Sequence, residues 1–210
     1  VRRVIAFAAS VAALCWASGP LFAGIITFNE VTTLDPSSLQ NGFYTHETVT
    51  GQATSISGFP SLAGVSPASI TLTANEFLTG NTFDPVHLLF TASYSGPVTY
   101  FENGIPIATG TDAITVTGSV VTGIATASGF VHLTGPAGSP FFLDVLAQTG
   151  GTGELALNAP PYVVTPDANN QIHLTVSAAT VTPEPSTFAL LALGGGALAG
   201  WRKLKRGRTA

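Results

Sequence analysis

The stretch VTYFENGIPIATG, residues 98–110, decides how the fold is read. Two runs rich in Val, Thr, Tyr, Phe and Ile flank Asn103-Gly104, the residue pair that accepts the positive φ values of a type I′ turn. A β-hairpin is expected, with arms over residues 98–102 and 105–109. Pro106 in the second arm has no amide to donate, so that arm should lie at a sheet edge or turn its donorless side outward.

Outward from this hairpin the chain keeps the same character. Thr, Val, Ile and Phe alternate with Gly, Pro, Asn and Ser punctuation, and no helical periodicity is convincing. Strands are expected over residues 25–32, 43–50, 68–74, 86–94, 98–102, 105–109, 113–121, 124–134, 141–147, 154–157 and 171–179. Ile70 and Leu72 alternate with Ser69, Thr71 and Thr73, and Ile172, Leu174 and Val176 with His173, Thr175 and Ser177, so one face is buried and the other wet. Residues 158–170, carrying Pro160, Pro161 and Pro166, read as a loop. A string of short strands without helices predicts an all-β domain over residues 24–179. An antiparallel β-sandwich of jelly-roll type is the expected architecture, with a barrel as the alternative.

Charge is distributed unevenly. All seven Lys and Arg lie near the ends, at Arg2, Arg3, Arg202, Lys203, Lys205, Arg206 and Arg208, while ten of the eleven acids lie between Gly24 and Thr182. The formal net charge of −4 therefore hides a strongly anionic central region. Such a surface repels nucleic acid and anionic headgroups, which excludes nucleic acid as a partner. The single Cys is Cys15, so the central region has no disulfide and no thiol nucleophile; it also lacks a Schiff-base Lys and an Arg clamp. No nucleophile elbow, zinc-helix motif or phosphate-cradling loop occurs.

Catalytic, cofactor and metal residues are accordingly assigned to no position. His46, His87, His132 and His173 are widely spaced and read as structural or solvent-facing. His46 and Glu47, adjacent on a strand, point to opposite faces. Two of the ten acids could serve as a glycosidase pair, a chemistry that needs only carboxylates at the right separation. Calcium is the alternative use of the oxygen donors at Asn29, Glu30 and Asp35 and at Asp167, Asn169 and Asn170. Glycan binding would need outward aromatic rings, and Tyr44, Tyr94, Tyr100 and Tyr162 are the candidates, Tyr94 and Tyr100 foremost. The Thr-x-Thr pairs at Thr48/Thr50, Thr71/Thr73 and Thr115/Thr117 suit solvent-facing strand positions.

The two ends read as addresses. Arg2 and Arg3 precede an apolar stretch that closes on Ala23 before Gly24, the pattern of a secretory signal peptide over residues 1–23, with the translocon as partner. Cys15 lacks a lipobox around it. At the other end Pro183, Glu184 and Pro185 are followed by an apolar run from Phe188 to Trp201 and a basic tail with Arg202, Lys203, Lys205 and Arg206. The prolines hold an extended segment, the run forms a short transmembrane helix, and the cations stay on the cytoplasmic side. Gly196 and Gly200 in the run suit a small-residue helix. This tripartite end, over residues 180–210, resembles the PEP-CTERM sorting signal. The resemblance implies recognition and removal by an exosortase-like membrane protease, a transient inner-membrane anchor, and a final place in the outer envelope or an exopolysaccharide matrix. It implies nothing about the central domain, for which a structural or adhesive role is expected, with a carbohydrate-binding module as the alternative. The processed protein should lose both termini by intact mass and, having no Lys or Arg left, should give no tryptic fragment even when denatured.

Overall fold

The computed structural model describes residues 24–181; the signal peptide, the Pro-Glu-Pro triplet, the transmembrane helix and the basic tail read from residues 1–23 and 182–210 lie outside the described residues. The Asn103-Gly104 turn forms as its chemistry demands, with φ of 51° and 79° and Glu102 paired to Ile105. Its arms are longer than expected. They belong to β6 (Leu89–Glu102) and β7 (Ile105–Ser119), each of which absorbs two of the expected strands. Gly96 and Pro97, which looked like a break, sit inside β6. The Gly96 amide donates to the Asp112 carboxylate at 2.8 Å, and Pro97, opposite Thr111, forfeits one donor without ending the strand. Pro106 pairs with Phe101 in the part of β7 that overhangs β8 (Ile124–Gly135), whose ladder begins at Thr109.

The remaining strands are β1 (Ile25–Leu34), β4 (His46–Ser57), β5 (Ile70–Asp84), β9 (Glu154–Val163) and β10 (Gln171–Thr180), with a two-residue pair β2 (Leu39–Gln40) and β3 (Phe43–Tyr44) turning at Asn41-Gly42. Each long strand runs antiparallel to the next, and β1 pairs with both β4 and β10, giving a closed barrel in the order β1-β10-β9-β8-β7-β6-β5-β4. This corrects the expected sandwich. A two-sheet jelly roll keeps free edges, whereas here β1 is registered with β10 from Ile25↔Ala179 to Thr33↔Gln171 and with β4 along its other side, so no barrel edge remains.

Two further expectations are corrected. Residues 141–147 form not a strand but most of the helix α1 (Pro140–Gln148). Ser139 caps it by accepting from the Phe142 amide, and Pro140 occupies the first turn, where its missing amide costs nothing. Residues 158–163 are strand rather than loop. Pro160 and Pro161 sit at a register shift against β8, and the β9–β10 ladder stops at Asn158↔Ser177 just before them, since neither proline can donate. Beyond that point β9 and β10 part.

The barrel interior is divided in two. One half is an apolar core of Ile26, Phe28, Ile70, Leu72, Val98, Val131, Leu133 and Leu155 among others, plugged by α1 and the turn at residues 59–62. Phe59, Phe141, Tyr100 and Phe28 form a chain of ring contacts at 5.2, 6.2 and 5.8 Å. Burying each of these aromatics contributes about 1.5–3 kcal/mol. Asp144 of α1 accepts from the Ser61 amide at 2.7 Å, and Gln148 accepts from the Gly24 amide and the Thr180 hydroxyl while donating to the Gly58 carbonyl. Both ends of the described chain therefore meet at the plugged end. The other half is open.

At Gly96 there is no room for a side chain: a Cβ there would lie 1.7 Å from the Asn75 carbonyl oxygen of β5. Gly96→Ala should lower the denaturation midpoint by the equivalent of about 3 kcal/mol or more, whereas Thr111→Ala on the outer face should stay within about 0.5 kcal/mol, both read by urea unfolding.

Candidate functional site

The open half of the barrel encloses a cavity of about 520 Å³. Its wall is built from seven of the eight barrel strands, because alternation sends every second side chain to the lumen. Phe83, Phe90, Ala92, Val116, Val120, Val164, Ile172 and Leu174 supply apolar surface, and Tyr44, Tyr94, Tyr162, Thr32 and Glu47 supply the polar atoms. The β2–β3 hairpin leans over the opening. Asn41 and Gly42, with φ of 51° and 85°, make its turn, Phe43 meets Phe90 with ring centroids 6.3 Å apart, and the Tyr94 hydroxyl donates to the Tyr44 carbonyl.

Beneath the cavity lies a row of carboxyl groups. Glu47 on β4 stands directly opposite Glu76 on β5; the register places Glu76 opposite Gly96 on β6, and Gly96 stands opposite Asp112 on β7. Because Gly96 has no side chain, Glu76 reaches across it, and hydrogen bonds link Glu76 to both Glu47 and Asp112. Glu30 on β1 stands beside this row, opposite Gly51, whose Cβ would approach the Glu30 Cγ to 3.0 Å. Glycine thus makes room for acid twice. Glu76 and Asp112 are only 3% and 2% exposed, and no Lys or Arg exists among the described residues to pair with them.

Four acids in a lumen without a cation cannot all ionise. Burial, and then the Asp112 charge, push Glu30 up to about 8. Burial raises Glu47 to about 7, its hydrogen bond from Glu76 pulling the other way. Glu76 rises furthest, through burial and the charges of Asp112 and Glu47. Burial likewise raises Asp112, opposed by its bonds from Glu76 and the Gly96 amide. The Tyr94 and Tyr162 hydroxyls are held neutral by burial and by Glu47 and Glu76. The floor is therefore a proton-sharing chain of carboxyls with Glu47 at the cavity face. A void of about 40 Å³ beneath it is lined by Glu30, Glu47, Glu76 and Tyr162. Glu30 accepts no hydrogen bond from any protein group there.

The sequence candidates fare differently. His46 and Glu47 do take opposite faces, Glu47 inside and His46 outside, stacked on Phe77 at 4.9 Å. His46, His87 and His173 face Asp35, Asp84 and Asp167 at 3.7, 2.6 and 3.4 Å on the rim. Of the oxygen donors weighed for calcium, Glu30 points into the lumen and Asn29 out of it, Asp35 accepts from Ser37, and Asp167 accepts from the Asn169 and Gln171 amides. Among the described residues no three His, Cys, Asp or Glu side chains are disposed to hold a metal ion. The tyrosines are the main correction: Tyr94 and Tyr100 do not face outward. Tyr100 is in the plugged core and Tyr94 lines the cavity with Tyr44 and Tyr162, because β6 turns its even-numbered residues inward. The sequence reading missed the acid row entirely. No local signal marked it, because the glycines that make room, Gly96 and Gly51, lie across the ladder from the acids rather than beside them in sequence.

Residues 181–206 match a family model described as the PEP-CTERM protein-sorting motif. No curated protein and no solved structure matches the chain.

A carboxyl whose folded pKa is raised binds its proton in the native state while the unfolded chain, at a pKa near 4.5, has lost it. Stability is then complete below about pH 4.5 and falls by roughly 1.4 kcal/mol per pH unit for each such group up to its folded pKa. Glu30 lies in this window between about pH 5 and pH 8 and Glu47 up to about pH 7, so the melting temperature should drop steadily as pH rises. Glu76→Gln, which keeps a hydrogen-bonding neutral group, should melt higher than the parent at about pH 8, and thermal scans across pH check both.

Proposed function

We propose that this is an exported, exosortase-sorted protein whose barrel is a non-catalytic binding module, taking a small amphiphile into the open half of its lumen. The observation that carries the reading is the cavity of about 520 Å³, apolar on its walls with a few polar groups gathered at its floor, the usual make-up of a small-molecule site. The C-terminal motif match supports export and processing. The topology fits this order of events. Gly24 and Thr180 meet at the plugged end, where the Thr180 amide donates to the Gly24 carbonyl, so a membrane segment following Val181 would tether the barrel by that end with the mouth directed away. After the cut the barrel joins the outer envelope or the matrix.

Recognition then lies in the lumen rather than on an adhesive outer face, since Tyr44, Tyr94, Tyr100 and Tyr162 all turn inward. A sugar could still use Tyr44, Tyr94 and Tyr162, but the Phe, Val, Ile and Leu walls favour an apolar body. Hydrolysis finds less support, because the floor carboxyls touch one another while glycoside hydrolysis sets its acid and base roughly 5–10 Å apart.

The described residues contain no Trp, the two of the chain being Trp16 and Trp201, so an added one reports on the lumen alone. The neutral dye N-phenyl-1-naphthylamine should bind with enhanced emission. Val116→Trp, which fills the cavity, should weaken it by about tenfold, and Thr111→Trp on the outer face of β7 should leave it unchanged. Equal binding by both variants would place the dye outside the lumen.

A further inference from the structure

We infer that the amphiphile held in the lumen carries a cationic head, an alkylammonium rather than an alcohol or a carboxylate, seated against Glu47 over the Glu76–Asp112 row. This rests on the proposed binding role of the cavity and names the chemistry of its ligand. Three observations lead to it. The first is the polar inventory of the cavity. Its one ionisable carboxylate is Glu47, and the tyrosines around it are acceptors as well as donors, while no cationic side chain exists in the described residues to receive an anionic head. The second is Glu30, 9% exposed, which lines the void under Glu47 without a hydrogen-bonding partner and is a further acid that a cation there would favour in its ionised form. A cation at this point would receive attraction from several carboxyls in a lumen where water screens little. The third is the rim. Phe83 and Val120 line the cavity and are also exposed, and they continue outward into exposed Val86, Leu88, Val121 and Val163. Apart from Glu47 the residues lining the cavity carry no charge, so an apolar chain can run from the floor to the mouth.

The groups facing Glu47 are Glu76 from β5, Glu30 from β1, Asp112 from β7, Tyr94 from β6 and Tyr162 from β9. Each is an acid, so titration can only make the floor more negative as pH rises. Glu47 is neutral in acid and ionises near neutrality, whereas a quaternary ammonium keeps its charge throughout. Binding of the cation should therefore strengthen with pH through a change in the protein alone.

The test displaces N-phenyl-1-naphthylamine from the processed protein with decyltrimethylammonium, decanol or decanoate, each below its micellar concentration. At about pH 8 the cation should compete at least about tenfold better than decanol, and decanoate worse than both. The preference should shrink by about tenfold on lowering the pH to about 5.5, and also in Glu47→Gln at pH 8, with decanol competition unchanged in each case. The parent protein's pH series stands even where the variant fails to fold. Competition that is equal for cation and alcohol, or independent of pH, overturns the cationic head while leaving the binding module standing. If the dye binds but no decyl compound displaces it, the cationic amphiphile is likewise refuted. Failure of the dye and of all three to bind removes the module and the inference together.

Discussion

Everything in the open half of the barrel depends on how four carboxyl groups share a lumen that contains no cation. An isolated carboxylate in such a place would cost several kcal/mol in lost hydration, and a salt bridge is ruled out because the Lys and Arg all lie outside residues 24–181. The structure answers with protons and with glycine. Glu47, Glu76 and Asp112 hydrogen-bond along a row across the ladder, and raised proton affinity keeps Glu76 at its centre protonated near pH 7. That row exists only because Gly96 leaves the space between Glu76 and Asp112 empty and offers its amide to Asp112. Any larger residue would strike the β5 backbone first.

This polar floor divides the lumen, and the division shapes the molecule. On one side the apolar core, α1 and the turn at residues 59–62 fill the barrel and tie both chain ends together through Gln148. On the other side nothing fills it. Pro160 and Pro161 end the β9–β10 pairing there, and the small β2–β3 hairpin covers part of the opening. Which half of the barrel has a helix to plug it decides which end is closed and which holds the cavity. Acidity then gives the cavity a sign, with acceptors at its base and apolar walls above.

Much of the local structure was legible. The Asn103-Gly104 turn, the alternation of β5 and β10 and the opposite facing of His46 and Glu47 follow from backbone geometry acting over a few residues. Where local reading failed, the sequence nonetheless carries a competing local signal. Ser139-Pro140 is a helix start, yet the apolar run after it looks equally like a buried strand of that length. Pro160-Pro161 suggested a loop, although a strand tolerates proline where it has no partner to donate to.

The sequence alone determined the alternating strands, the absence of catalytic thiol, lysine and arginine from the central region, its excess of acid, and the tripartite C-terminus, because each is written in residue type, order and short spacing. The tertiary structure decided barrel over sandwich, the inward turn of Tyr94 and Tyr100, and the meeting of Glu30, Glu47, Glu76 and Asp112. The physical reason is that alternation tells which residues share a face without telling what that face closes upon. Only the pairing of β1 with both β4 and β10 turns one face into a lumen, and only the strand register brings acids from separate strands into a row.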